Sequence, residues 1–568
     1  MEKTKKLPKI PYGLSNFETI RTQNYLYVDK THFIEKVENS RIFIHLRPRR
    51  FGKSLFLSML ECYYDVAQAD QFDRLFSGLY IYENPTKRKN SYYVLRFNFS
   101  GVASTEEESL KSGFLRKVNE GAQNFINHYN FNIKLDEKEI EPAGVLGRIF
   151  TAFRGLKLEH KIYVLIDEYD HFTNALLKGD AKDFLTVLTQ GGFVRSFYEV
   201  IKEQTELGIV DCFFATGVMS VSLDSMTSGF NIATNITTDD FFADMIGFTA
   251  DEVKDILRQR LSCSEECEEV YTILRQNYNG YLFSEETDIK IFNSTLIMYY
   301  VNHYVNKKRP PKQLVDPNLN QSGVTIENIT SLKTTEKNYE VVQQIIENKE
   351  VLGTLSNFID IKKKFDHNDF ITMLFNIGLL TIKKPGMVTT FEIPNKVMEN
   401  IYLEYLIGLT QNQANYRIDV QKQELALLEL GQNGDFVPLT NLLVEFLTNT
   451  AVRNKQKFDE RYIKLTYMML LATNNQVITY DEFPAGQGFI DLFIQKTLAS
   501  YATYEYAIEL KYIKASETTP ARIEKEFLEA STQMDRYLND ERISNRPNLK
   551  KLIIVFSGFE VVRMEEVL

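Results

Sequence analysis

The residues Arg47-Pro-Arg-Arg-Phe-Gly-Lys-Ser stand between a short apolar run and a segment with helical periodicity. A strand, a turn carrying Gly-Lys-Ser and a helix form the setting in which backbone amides, an ammonium and a hydroxyl gather around phosphate. Gly52 lets the backbone approach, Lys53 has the reach for the β- and γ-phosphates, and the Ser54 hydroxyl can ligate magnesium. The glycine that usually opens such a loop is absent, and Arg47 stands in its place. Arg49 and Arg50 add either phosphate contacts or a partner surface. With Phe51 and Leu55 flanking the Gly-Lys-Ser, the whole loop is the candidate nucleotide-binding set.

A second half of the same site follows in Lys161-Ile-Tyr-Val-Leu-Ile-Asp-Glu-Tyr-Asp, an apolar strand ending in carboxylates. Asp167 is placed to meet magnesium, directly or through water, and Glu168 to polarise an attacking water. The plain alternative has both carboxylates capping the next helix; the Gly-Lys-Ser upstream favours the chemical reading. Thr216, near the end of the next apolar run, is either a sensor of the γ-phosphate or an ordinary strand-end threonine. The cofactors expected are therefore ATP and Mg2+.

The last quarter of the chain holds another constellation. Gly488-Phe-Ile-Asp-Leu-Phe-Ile and Tyr504-Glu-Tyr-Ala-Ile-Glu-Leu-Lys are two strand-like runs divided by a short polar stretch. Period-two geometry puts Glu509 and Lys511 on one face. A hairpin centred near Ser500 sets Asp491 opposite Glu509. Two carboxylates and a lysine so gathered either hold magnesium against a phosphodiester or form a surface ion pair.

These groups need rigid elements behind them. Residues 41–46, 92–99, 161–166 and 210–216 are continuously apolar, as strands buried on both faces are, and helical segments separate them. The alternation implies an α/β fold, a parallel sheet with helices on both faces, over residues 1–246. From Phe248 the pattern turns helical, with Thr249 as an N-cap followed by acidic residues. A polar, proline-bearing connection spans 307–331, and 370–394 reads as the helix and hairpin of a helical or winged middle region, 247–430. A break at 431–435 precedes the last domain, 431–568.

Composition is that of an ordinary globular protein, 44% hydrophobic and 25% charged. The net charge of −10 argues against an avid nonspecific coat on nucleic acid, yet residues 1–60 hold twelve Lys and Arg against five Asp and Glu. Positive charge thus gathers at the phosphate loop. Residues 431–568 hold sixteen against nineteen. No signal peptide or apolar run of about 20 residues is seen, so a cytoplasmic protein with no membrane partner is expected. Cys62, Cys212, Cys263 and Cys267 are too few and scattered for a disulfide framework or a zinc set.

Tyr27-Val-Asp-Lys-Thr, Arg47-Pro-Arg-Arg-Phe-Gly-Lys-Ser, Ile166-Asp-Glu-Tyr-Asp, Gly247-Phe-Thr, Tyr278-Asn-Gly-Tyr and Ile393-Pro-Asn together resemble the bacterial AAA-ATPase-like family. The arginine in place of the first glycine is itself that family's pattern, and its members usually end in a PD-(D/E)XK nuclease domain of restriction-endonuclease-like fold. The resemblance implies that Asp491 and Glu509 are metal ligands and Lys511 the catalytic lysine. Glu460 on a preceding helix, and Gln533 and Tyr537 on a following one, become accessory candidates; Glu482 is a weaker match. Many relatives have Gly-Arg before the metal aspartate where this chain has Gly488-Phe489, so that phosphate contact has no counterpart here. The resemblance implies an ATPase coupled to a nuclease acting on DNA or RNA in a defence or mobile-element setting. A nucleotide switch with an inactive nuclease fold is the alternative, and homo-oligomerisation stays open.

Overall fold

The computed structural model describes residues 7–102, 110–136, 138–171, 192–219, 232–261, 263–316, 338–357, 359, 366–450, 459–472, 476–497, 500–537 and 540–567. Two compact units emerge. The first comprises Met1–Val305, Val315–Ile345 and Lys349–Lys396; the second comprises Asn306–Leu314, Ile346–Asn348 and Val397–Leu568.

In the first unit β1 (Ile42–Leu46), β2 (Tyr92–Asn98), β3 (Lys161–Asp167), β4 (Val210–Gly217) and β5 (Thr234–Asn235) pair in parallel, in the order β2-β3-β4-β1-β5. The four apolar runs are strands because helices cover the sheet: only Lys161 of β3 is exposed, and only Asp211 of β4 is not fully buried. Helix α1 (Lys53–Tyr64) accompanies the chain from β1 to the far edge at β2. Helices α2 (Leu110–His128), α3 (Pro142–Gly155) and α4 (Phe193–Glu206) accompany its return through β3 to β4. Right-handed crossovers running in opposite directions put their helices on opposite faces. Accordingly α2 and α4 both pack on α3, whereas α1 packs on the short helices Phe17–Thr22 and Phe72–Phe76. The reversal of direction beside β1 opens a crevice at the carboxyl edge of the sheet, where ligands of such folds bind.

Helix α5 (Ala250–Arg260) begins at Thr249 as expected. The Thr249 hydroxyl accepts from the Glu252 amide at 3.3 Å, and the Glu252 carboxylate accepts from the Thr249 amide at 2.8 Å. Buried Lys30 donates to the same carboxylate at 2.8 Å and to the Asp244 carbonyl at 2.7 Å, tying the 27–31 segment to this helix. Helix α6 (Ser294–Lys307) follows. Strands β6 (Glu350–Gly353), β7 (Thr381–Lys384) and β8 (Thr389–Glu392) form an antiparallel sheet, and with α7 (His367–Asn376) they give the helix and hairpin read from 370–394. Every residue of α7 from Asp369 to Asn376 is buried, so this helix is part of the core. Of the connection read at 307–331, residues from 317 onward lie outside the described ones; Pro310 and Pro311 are buried.

In the second unit β9 (Val477–Ala485), β10 (Gly488–Lys496), β11 (Glu505–Ile513), β12 (Leu549–Ser557) and β13 (Glu560–Glu566) form a mixed sheet, parallel only between β11 and β12. Helix α8 (Glu460–Ala472) packs on β9 and β11, and α9 (Pro520–Tyr537), the crossover from β11 to β12, packs on β10, β11 and β12. Ala507 shares a core with Met534 and Tyr537, and Ile513 shares one with Phe527 and Ala530. That face of β11 is therefore held against α9. The break read at 431–435 is the end of a π turn, Glu429–Asn433, closed by Gly434. All four cysteines are free thiols, and no helix among the described residues is long and apolar enough to cross a membrane.

Candidate functional site

Strand β1 delivers the chain to the carboxyl edge, and residues 47–52 turn it into α1. Arg50 and Gly52 adopt φ of 69° and 106°, and only a glycine takes the second value without strain. The first amides of α1, which have no partner within the helix, open onto a cleft of about 570 Å³ lined by Arg49, Arg50, Lys53, Ser54, Leu55 and Glu168. Lys53 is buried, and its Nζ donates to the carbonyls of Arg47 at 2.8 Å and Pro48 at 3.0 Å. Burial pulls its pKa down to about 8, against the opposing pull of Asp167, Asp170 and Glu168. An ammonium stripped of water and held only by carbonyl dipoles gains strongly from an anion brought beside it.

Asp167 and Thr216 lie buried at the ends of β3 and β4, and the Thr216 hydroxyl donates to Asp167 Oδ1 at 3.0 Å. The threonine therefore orients the carboxylate, which both readings of Thr216, phosphate sensor or strand-end threonine, allow. From below, Arg96 of β2 stands 3.8 Å from Asp167 Oδ2 and 2.5 Å from Glu61. Glu168 follows with φ of 54°, left-handed backbone that is uncommon outside glycine. Its Oε2 is 2.7 Å from His171 Nδ1. Burial acts to raise the Glu168 pKa, but His171, Lys53 and Arg49 outweigh it and hold the carboxyl below its ordinary value. A charged carboxylate thus faces the cleft beside the lysine. Asp170 turns away, accepting from the amides of Val218 at 3.0 Å and Met219 at 2.5 Å, and so pins β3 to β4.

Two loop residues of the candidate binding set have side chains that serve as anchors, Arg47 away from the cleft and Phe51 at its lining. The Arg47 side chain is almost wholly buried and points into the protein. It donates to the carbonyls of Leu46 and Thr237 at 2.9 and 2.7 Å and of Phe242 and Ala243 at 3.3 and 3.2 Å, 4.1 Å above the Phe283 ring. Bound to four carbonyls, the guanidinium anchors the loop and does not line the cleft. The Phe51 ring is likewise an anchor, edge-on to Tyr281 and Phe283 at 5.0 and 5.6 Å. Sequence reasoning missed Arg96, His171 and the apolar end of the cleft, where Leu14, Leu26, Ile246 and Met298 offer walls suited to a flat base. Only His171, three residues beyond Glu168, carried a spacing that could have flagged it.

In the second unit β10 and β11 pair as Leu492↔Ile508, Phe493↔Ala507 and Ile494↔Tyr506, and one further step of this register sets Asp491 opposite Glu509. The Asp491 Oδ2 accepts from the Leu510 amide at 2.9 Å. Glu509 is buried, and Lys511 Nζ stands 3.4 Å from its Oε2. Burial, then Asp491, push the Glu509 pKa up to about 8. Burial and Asp491 also push Glu460, at the start of α8, up to about 6. Burial acts to lower Lys511, but Glu509, Asp491 and Glu460 outweigh it and raise its pKa. Tyr537 of α9 faces the same group: burial, with Glu509 and Asp491, raises its phenol. A Cβ on Gly488 would come within 2.8 Å of its ring.

Two buried oxygens here, Glu509 Oε1 and Gln533 Oε1, receive no hydrogen bond. Acceptors left bare among mutually repelling carboxyls fit a cation. Among the described residues no three Asp, Glu, His or Cys side chains form a complete metal cage. The donor set suits magnesium, which takes one or two carboxylates and keeps water or substrate oxygens for the rest. Glu482 stands apart: its side chain is 69% exposed and 3.6 Å from Lys464.

A parallel sheet ending in this loop, and a mixed sheet bearing this carboxylate pair and lysine, define a P-loop nucleotide domain and a nuclease-like domain. Residues 11–227 match the family described as "Predicted AAA-ATPase", and residues 458–566 match the PD-(D/E)XK nuclease superfamily. The chain thus joins an AAA-ATPase-like domain to a PD-(D/E)XK domain. It is 28% identical over 300 residues to an uncharacterized protein in the vnfD 5′ region of Azotobacter chroococcum mcd 1, a match covering 51% of each chain. The chain therefore spans about half the length of the curated relative it matches.

The anchor role of Arg47 predicts that Arg47→Ala lowers stability by about 2–3 kcal/mol, because four carbonyls lose their donor, while Arg49→Ala is near-silent. Thermal denaturation of the two variants checks this; equal melting temperatures would remove the anchor.

Proposed function

We propose that this protein binds and hydrolyses ATP with Mg2+ in the first unit, and that its nucleotide state governs a magnesium-dependent nuclease acting on DNA or RNA in the second. A cytoplasmic role in defence or mobile-element biology accompanies the reading. The observation that supports it most is the meeting of Lys53, Ser54 and Glu168 around one cleft, with Asp167 fixed behind them by Thr216. In this reading the helix amides, Lys53 and Arg49 bind the phosphates. Ser54 and Asp167 hold the cation, and Glu168 accepts the proton of the attacking water. In the second unit Asp491 and Glu509 would hold a cation, which when bound polarises a phosphodiester and lowers the pKa of water. Lys511, with its proton secured by three carboxylates, stabilises charge developing on the nucleophile or the phosphate oxygen. The incomplete cage among the described residues favours one second reading, a nucleotide switch whose nuclease fold only binds.

Purified protein assayed for ATP turnover, and for Mg2+- or Mn2+-dependent cleavage of single- and double-stranded DNA and RNA, tests the whole. Lys53→Ala is expected to abolish hydrolysis and weaken ATP binding, since the ammonium is the main side-chain charge on the phosphates. Glu168→Gln should keep ATP bound and stop turnover, because an amide fills the volume without accepting a proton. Unchanged turnover in Lys53→Ala would end the phosphate-loop reading.

For the nuclease, Asp491→Ala or Glu509→Ala should remove cleavage and leave ATP hydrolysis largely intact. Lys511→Ala should do the same yet still bind metal. A surface ion pair, worth at most about 1 kcal/mol, would instead leave all three variants silent. Wild-type protein that cuts no strand type, with or without ATP, puts the switch in the nuclease's place.

A further inference from the structure

His171 lies outside every motif that drew attention to this chain, yet it lines the cleft beside Glu168. Its ring stands between two fixed groups. The Gly101 amide, in the turn after β2, donates to Nε2 at 3.3 Å, and Nδ1 lies 2.7 Å from Glu168 Oε2. An amide can only donate, so Nε2 is the accepting nitrogen and the neutral ring carries its proton on Nδ1, aimed at the carboxylate. Glu168 needs such a partner. Its backbone holds φ of 54°, and its side chain is 30% exposed at the end of a strand. Without a donor to fix it, a carboxylate on three rotatable bonds would sample several directions. One oxygen is taken by His171. The other, Oε1, receives no hydrogen bond among the described residues and is left for a water.

We infer that His171 is the positioning residue of the ATPase: through Nδ1–H it aims the Glu168 carboxylate, and through Nε2 it takes its own orientation from the Gly101 amide. The inference rests on Glu168 being the base of the proposed hydrolysis. No proton passes to the imidazole; it arrives at Glu168 Oε1 from the attacking water, and His171 keeps its tautomer throughout. The Ser100-Gly101 turn also borders the cleft through Ser100, so the aim of the base is referred to β2 as well as to β3.

The two nitrogens can be tested separately, because an asparagine amide reaches the place of Nδ1 and a glutamine amide that of Nε2. ATP turnover and equilibrium binding of a fluorescent ATP analogue are measured for wild type, His171→Ala, His171→Asn, His171→Gln and Glu168→Gln. His171→Ala should lower kcat about tenfold or more while Kd stays within about twofold, since only the aim of the base is lost. His171→Asn should recover most of the rate and His171→Gln should not. Rescue by Gln in place of Asn, or a wild-type kcat in His171→Ala while Glu168→Gln is inactive, overturns the assignment and leaves the ATPase reading standing. Wild-type protein that turns over no ATP, or Glu168→Gln that turns it over normally, overturns the base itself and this inference with it.

Discussion

The loop between β1 and α1 depends on a cation turned away from the cleft that the loop borders. Arg47 stands where a flexible residue is usual, and its buried guanidinium ties the loop to the carbonyls of Thr237, Phe242 and Ala243 and to the face of Phe283. The sequence signatures far down the chain then acquire a common purpose. Tyr281 of the Tyr-Asn-Gly-Tyr motif packs on Phe51, and Ser294 and Thr295 at the start of α6 donate to the Arg50 carbonyl at 3.4 and 3.1 Å. A Cβ on Gly247 would come within 3.2 Å of the Phe51 ring. Motifs separated by some two hundred residues converge on the rigidity of one turn.

The two sites are electrostatic opposites built from the same parts. In the first, a lysine loses its water and its charge is destabilised, so the cleft favours an arriving anion. In the second, carboxyls crowd one lysine, and two of them are driven toward their protonated forms. One chain thus carries a cleft whose buried ammonium favours an anion and a cluster of carboxyls that repel one another.

Much of this was legible in the sequence. Four of the five parallel strands announced themselves as largely apolar runs because parallel strands are mostly buried on both sides. The Asp491–Glu509 pairing followed from counting outward from Ser500, since antiparallel register is arithmetic once the turn is located. The side-chain directions of Arg47 and Thr216 were not legible: a motif position says where the backbone runs, and whether a guanidinium turns toward ligand or core depends on carbonyls almost two hundred residues away. Arg96 and Gly101 escaped for the same reason. They act through β2, a neighbour of β3 in space and distant from it in the chain.

The pairing that brings Asp491 to Glu509 also fixes what the second unit can tolerate. Side chains alternate along β11, so one residue inserted between Glu505 and Ile508 would carry Glu509 and Lys511 to the opposite face and bring Ile508 and Leu510 against α9. One residue added in the turn near Ser500 would leave both strands as they are. Within this hairpin, length variation is therefore confined by the pleat to the tip, and a reading frame of two, not chemistry alone, keeps the carboxylates together.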